Sequence, residues 1–153
     1  MIEPVFRAGE SFPQATDITE SDARHSWIDA QQHTYVAADE DGTLLGTYTL
    51  KPNSLPLGAH VCNCGYIVSN HARGKGVASA MCQHSQDEAI RLGYLAMQYN
   101  LVVSTNEKAV RLWTKMGFEL VGTLPGAFKS TTHGFVDAYV MFKQLKVKVS
   151  SDE

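Results

Sequence analysis

The residues best suited to chemistry are Arg73, Gly74, Lys75 and Gly76, in the run V-S-N-H-A-R-G-K-G-V-A-S-A from Val68 to Ala80. An apolar stretch, Cys64 to Val68, leads into them, and a helical pattern begins straight after Gly76. A strand, then a glycine turn, then a helix start builds an anion cradle. Glycine reaches backbone conformations barred to other residues and lets a ligand approach closely. The first turn of a helix leaves N–H groups unpaired and carries partial positive charge. Together they hold a phosphate or diphosphate.

Spacing narrows the ligand. A Walker loop has four residues between its glycines and a Lys followed by Ser or Thr. Here Lys75 stands between two glycines. A dinucleotide fingerprint reads G-x-G-x-x-G, and Ser79 occupies the place of the third glycine. What remains is Arg73-x-x-Gly76-x-Ala78. It resembles the R/Q-x-x-G-x-G/A signature of the GNAT acyltransferases, whose loop amides bind the pyrophosphate of acetyl-coenzyme A. A second stretch, N-E-K-A-V-R-L-W-T-K-M-G-F from Asn106 to Phe118, resembles that family's N-x-x-A-x-x-x-Y-x-x-x-G-F. Asn106 suits a helix N-cap, Glu107 the first turn, and Gly117 the helix end. Ala109, Leu112, Trp113 and Met116 recur at helical spacing as one apolar stripe. The resemblance covers Gly42 to Leu145 well and the residues before it poorly.

The resemblance implies roles. Backbone groups of Ile67 and Val68 would pair with the pantetheine arm, and a main-chain donor there would polarise the acetyl carbonyl as an oxyanion hole does. Arg73, Gly74, Gly76, Val77, Ala78 and Ser79 would hold the pyrophosphate, with Lys75 as a nearby charge. Asn106 would fix the pantetheine end, with Ala109 and Trp113 along the same helix. Trp113 departs from the family pattern, where Tyr commonly protonates the leaving thiolate. An indole N–H donates a hydrogen bond but is no usable acid. Trp113 therefore has a binding role or is simply core. A thiolate near its solution pKa is itself a tolerable leaving group.

No carboxylate lies on the strand at His60–Val68, where some relatives keep a base; Asn63 is there. Asn63, Asn100 and Asn106, with P-G-A-F at Pro125–Phe128 and G-x-V-D at Gly134–Asp137, resemble the GNAT branch that acetylates azetidine-2-carboxylate and proline analogues. The branch resemblance makes Asn63 and Asn100 catalytic candidates, beside Val68, whose main chain the wider family resemblance assigns to the acetyl carbonyl. Asn63 and Asn100 also fit a plainer role, satisfying backbone groups where strands diverge.

The remaining composition bounds the function. A length of 153 residues fits one domain over 1–153, with its core at about positions 5–145. A net charge of -3 argues against a nucleic-acid surface. No apolar run approaches the roughly 20 residues of a membrane span. The opening M-I-E-P-V-F-R lacks the build of a secretory leader, so the cytosol is the expected compartment. Cys62, Cys64 and Cys82 make an odd count, and C-x-C beside His60 matches zinc spacing poorly, so buried thiols and no metal are expected. His71 reads as solvated, His25, His33 and His84 as surface residues, and His60 and His133 as able to approach the site. No His–carboxylate pair is evident.

These pieces need positioning elements. Gly9–Thr16 reads as a loop, and Thr19-x-x-Asp22 as a capping box opening a helix to about Ala30. His33–Ala38 and Thr43–Leu50 read as strands joined at Asp41–Gly42, and Lys51–Gly58 as a loop. His60–Val68 is a strand. Gly76–Leu92 is a helix, with Ala78, Cys82, Ser85, Ala89 and Leu92 at its period. Leu95–Val103 is a strand, followed by the Asn106 helix. Glu119–Leu124 is a strand, Pro125–Gly134 a loop and Phe135–Leu145 a long final strand. The tail from Lys146 to Glu153 frays. A right-handed crossover makes a mixed α/β sheet with helices on both sides. GNAT proteins have this fold, and their two central parallel strands splay to admit acetyl-CoA; here these are His60–Val68 and Leu95–Val103.

The expected activity is direct acetyl transfer from acetyl-CoA to a small amine or imino acid, since no Cys stands out as a nucleophile. Two alternatives stay open: acetylation of a protein N-terminus or lysine, and a non-catalytic acyl-CoA sensor. The long final strand offers an edge or face for a homodimer.

Overall fold

The computed structural model describes residues 1–146, so the fraying expected of the tail falls, from position 147 on, outside the described residues. Six strands form one sheet in the order β1-β2-β3-β4-β6-β5. They are β1 His33–Ala38, β2 Leu44–Pro52, β3 Val61–Val68, β4 Ala96–Val103, β5 Glu119–Ser130 and β6 Gly134–Gln144. Helices α1 Ile2–Ala8 and α2 Glu20–Arg24 precede the sheet; α3 Val77–Arg91 and α4 Glu107–Lys115 flank β4 in sequence. Among the described residues no helix is long and apolar enough to cross a membrane.

The expected splay is present. β3 and β4 run parallel but pair only at Val61↔Ala96 and Cys62↔Met97. Beyond that, β4 follows β6, with a bulge between Tyr99 and Val102 that bends it away from β3. Cys62, Cys64, Tyr66, Met97 and Tyr99 face the α3/α4 side and join its core with Met81, Cys82, Ala89, Trp113 and Phe118. Of the expected α3 stripe, Cys82, Ser85 and Ala89 are fully buried. The opposite face carries a smaller cluster of Phe6, Ala23, Trp27 and Ile67, with Phe12 packed against it.

Three local readings need correction. The expected loop Pro125–Gly134 is mostly strand, since β5 runs to Ser130. Pro125 is tolerated because β5 is the sheet edge, where a missing N–H breaks no ladder bond. Partners Leu124↔Ala138 and Phe128↔Val136 leave two residues to bulge out, and the Gly126 N–H donates to Asp137 Oδ1 at 3.0 Å. The final strand β6 offers no edge, because it lies between β4 and β5. The edge strands are β1 and β5, and β5 leaves Leu120, Val121 and Leu124 exposed. Near the N-terminus, Ile2–Ala8 is a helix that spacing did not reveal, closed by Gly9 at φ 64.

α2 begins where expected, with Thr19 Oγ1 accepting the Asp22 N–H at 3.1 Å. From His25 to Asp29 it widens into a π-turn, closed by Ala30 N–H to the His25 carbonyl at 2.8 Å. That turn keeps Trp27 buried on the sheet, its indole N–H donating to Thr47 Oγ1 at 3.1 Å.

Candidate active site

A cleft of about 790 Å³ opens where β3 and β4 part. It passes through the sheet. Arg73, Gly74, Gly76, Ala78, Asn106 and Trp113 line it on the α3/α4 side, and Val5, Ser11, Phe12 and Pro13 line it from the N-terminal segment.

The strand register decides which main-chain groups face the gap. Ser69 N–H donates to the Leu45 carbonyl and Asn53 N–H to the Val61 carbonyl, each at 2.8 Å. Odd-numbered residues of β3 therefore spend their main chain on β2. The His60 carbonyl instead accepts from Leu95 N–H, also at 2.8 Å. By alternation, Cys64, Tyr66 and Val68 turn N–H and C=O toward β4, which has already left. This corrects the reading of Ile67. Its main chain faces Thr47 on β2, its side chain is buried with Phe6 and Trp27, and it does not line the cleft. Val68 does, and Tyr66, which spacing did not single out, joins it.

At the fork, Asn63 Nδ2 donates to the Gln98 carbonyl at 2.9 Å. Had the strands stayed paired, the next ladder bond would have used that carbonyl. The Asn63 amide thus stabilises the point of divergence and keeps its oxygen for the cleft. Asn100 also lines the cleft, but both ends of its amide are engaged. It donates to Asn53 Oδ1 at 2.7 Å and accepts from Gln98 Nε2 at 2.9 Å.

The anion cradle is built of backbone. Gly74 has φ 74 and Gly76 has φ 77, a region that L side chains rarely adopt. Gly76 is the N-cap of α3, and no side chain caps it. The first amides of a 15-residue helix, at Val77, Ala78 and Ser79, thus lack a side-chain partner. Arg73 and Lys108 are the charged residues lining the cleft, both cationic in a chain of net charge -3. Lys75 is exposed and lies outside the lining. Opposite, Asn106 caps α4, its Oδ1 accepting the Ala109 N–H at 3.4 Å. That leaves its amide N–H groups for a ligand.

Trp113 is 8% exposed and does two jobs. It lines the cleft, and its ring lies 4.9 Å from Tyr66 and 5.1 Å from Tyr99, centroid to centroid. The two phenols form a closed network: Tyr66 Oη lies 2.9 Å from Tyr99 Oη and 2.6 Å from Ser85 Oγ, which donates to the Cys82 carbonyl at 2.8 Å. Burial pushes both phenols well above their ordinary pKa. Cys62, Cys64 and Cys82 are free thiols and all buried. Cys64 lines the cleft, but burial, with Cys62 beside it, pushes its thiol well up, so it is no thiolate nucleophile at neutral pH.

Among the described residues, the cleft lining includes no carboxylate and no histidine. His60 and His71 are exposed and outside it. His133 sits in the β5–β6 turn, with Nδ1 2.8 Å from Thr132 Oγ1. Sequence reading missed Ser11, Phe12 and Pro13, because their place in the cleft depends on Phe12 packing edge-on to Phe6 and Trp27, each at 5.6 Å.

Known proteins resemble this chain in sequence and fold. The chain is 36% identical over 99 residues to N-acetyltransferase aca1 of Schizosaccharomyces pombe (strain 972 / ATCC 24843), a match covering 64% of this chain and 47% of that protein. It is 30% identical over 105 residues to L-amino acid N-acetyltransferase AaaT of Escherichia coli (strain K12), covering 66% of this chain and 62% of that protein. The chain therefore spans less than two thirds of the length of these curated relatives. A GCN5-related N-acetyltransferase from Kribbella flavida superposes with a TM-score of 0.87 at 43% identity, covering 94% of this chain and 90% of that one. The sequence pattern described as "Acetyltransferase (GNAT) family" matches residues 4–118. With that match spanning the Arg73–Ser79 turn and the splayed strands, this chain belongs to the acetyltransferase (GNAT) family.

Proposed function

We propose that the protein transfers acetyl from acetyl-CoA directly to the amine of a small molecule, an amino acid or proline analogue. The observation that carries this is the fork after Cys62↔Met97, which opens unpaired main-chain groups of β3 onto the uncapped start of α3. The N–H groups of Val77, Ala78 and Ser79, with Arg73, hold the diphosphate. Tyr66 and Val68 offer a strand edge to the pantetheine amides, and a main-chain N–H there polarises the acetyl carbonyl. The Asn106 amide steadies the arm.

The acceptor reaches the carbonyl from the side of Ser11, Phe12 and Pro13. Asn63 Oδ1 accepts one of its N–H groups and orients its lone pair. A C–N bond forms as the C–S bond breaks, the amine proton passes to water, and coenzyme A departs as the thiolate. Positioning supplies most of the barrier reduction, on the order of 7–11 kcal/mol in good intramolecular cases. Direct transfer is favoured because the Cys64 thiol stays protonated.

An amino-acid acceptor also agrees with the name of the Escherichia coli relative. Thiol release from acetyl-CoA, measured over L-amino acids, L-azetidine-2-carboxylate and lysine-containing peptides, tests the reading. Release driven by the small amines supports it. Release by peptides alone overturns the substrate class, and coenzyme binding without any acceptor-dependent release overturns the activity. For assembly, we propose that two copies pair along the β5 edge; a monomer in sedimentation, with Leu124→Lys unchanged, would exclude this.

A further inference from the structure

We propose that Glu10 is a positioning residue for the acceptor: its carboxylate ties the loop carrying Ser11, Phe12 and Pro13 to the β5–β6 turn and so sets the width of the acceptor entrance. The inference rests on the acceptor side of the proposed reaction.

Donors from residues more than a hundred positions away converge on this one carboxylate. Ser130 Oγ donates to Oε2 at 2.7 Å, and Thr132 N–H and Thr132 Oγ1 donate to Oε1, each at 3.0 Å. The Thr131 hydroxyl reaches the same oxygen and also lies 2.7 Å from the Ala8 carbonyl. His133 Nδ1 is 3.9 Å from Oε2. These hydrogen bonds, that from Thr131 foremost, hold the carboxyl at about 2, so it is ionised across the physiological range.

The backbones also meet closely. Thr131 N–H donates to the Gly9 carbonyl at 3.3 Å, and a Cβ on Gly9 would stand 2.5 Å from Thr131 Cγ2. Beside this clasp lies a second cavity of about 310 Å³. Gly9 and Gln14 line one side, Ala127 and Lys129 the other, and it shares Phe12 and Pro13 with the main cleft. Phe12 is held separately by Phe6 and Trp27. The clasp therefore governs the other wall, the end of β5. The coenzyme cradle at Arg73–Ser79 makes none of these contacts, so the two binding steps separate.

Glu10→Ala and Glu10→Gln test this, with L-azetidine-2-carboxylate as acceptor and coenzyme A binding followed by calorimetry. For Glu10→Ala, acceptor KM should rise about tenfold, while kcat, acetyl-CoA KM and coenzyme A Kd stay within about twofold. Glu10→Gln keeps one acceptor oxygen and should fall between. Amide exchange at residues 9–12 and 131–134 should accelerate at least about tenfold in Glu10→Ala. Faster exchange with unchanged acceptor KM would mean a purely structural tie and overturns the proposal, as does unchanged exchange. If the wild type turns over no acceptor, the activity itself falls and takes this role with it. If the wild type turns over and Glu10→Ala matches it, this proposal fails alone.

Discussion

The two sides of the cleft are built by opposite strategies. The proposed coenzyme side is local: Arg73 to Ser79 is one continuous run, and Asn106 caps its own helix through a contact three residues away. The proposed acceptor side is assembled from afar: Glu10 meets residues 130–132, and Phe12 meets Trp27. Local main-chain geometry suits a ligand whose diphosphate never varies. Long-range side-chain contacts can be altered one at a time, which suits a wall that selects among acceptors.

Five measurements would break or sharpen that contrast. The largest effect belongs to Gly76→Val. It forces a β-branched residue to φ 77 and puts a side chain in open space at a position that lines the cleft. Strain of about 1–3 kcal/mol and lost approach together should raise coenzyme A Kd by more than about a hundredfold. Undiminished binding in calorimetry would sink the cradle.

Asn63→Ala sits between the two sides. It removes the amide that holds the Gln98 carbonyl and faces the cleft. We expect kcat/KM for the acceptor to fall about tenfold or more, with coenzyme A Kd changed less than about threefold. Asn100→Ala should do less, since Asn100 is exposed and its amide is bonded to Asn53 and Gln98. A larger loss from Asn100 would reverse their assignment.

Asn106→Ala tests whether the coenzyme side depends on its cap. Loss of the N-cap should cost about 1 kcal/mol, lowering Tm by roughly 2–5 °C, and coenzyme binding should weaken several-fold. An unchanged Tm would mean that the 3.4 Å cap bond contributes little.

The smallest effect is set by pH. The Glu10 carboxyl is held below its usual value, to about 2. A depressed pKa means the clasp stabilises fully above the unfolded carboxyl's value, near 4.5, and loses that contribution as pH falls toward 2. Glu88 is also held at about 2, chiefly by Arg91 with help from Tyr35, so the informative quantity is wild type minus Glu10→Ala. That difference in Tm should shrink as pH falls below about 5. A difference that kept growing below about pH 5 would contradict the clasp.

Much of the local structure around the proposed coenzyme side is legible in the sequence, because helix starts, caps and glycine turns are set by near neighbours. The capping Thr19, the Gly76 start of α3 and the Asn106 helix all lie where their spacing puts them. The β5 strand was not legible. Pro125 and Gly126 look like a loop until the sheet order makes β5 an edge that tolerates both. Nor was the choice of Val68 and Tyr66 over Ile67. A strand alternates between two edges as well as two faces, and only the partner at β2 tells which residues face the gap.

By itself, then, the order of residues determined the glycine turn at Gly74–Gly76, the helix that follows it and the mixed sheet that carries both. These depend on torsional limits and capping bonds within a few residues of each other. Packing across the sheet alone decided where β3 and β4 part, which amides are left open, and that Glu10 grips a turn at the far end of the chain. Those features need partners distant in sequence, and no local rule names them.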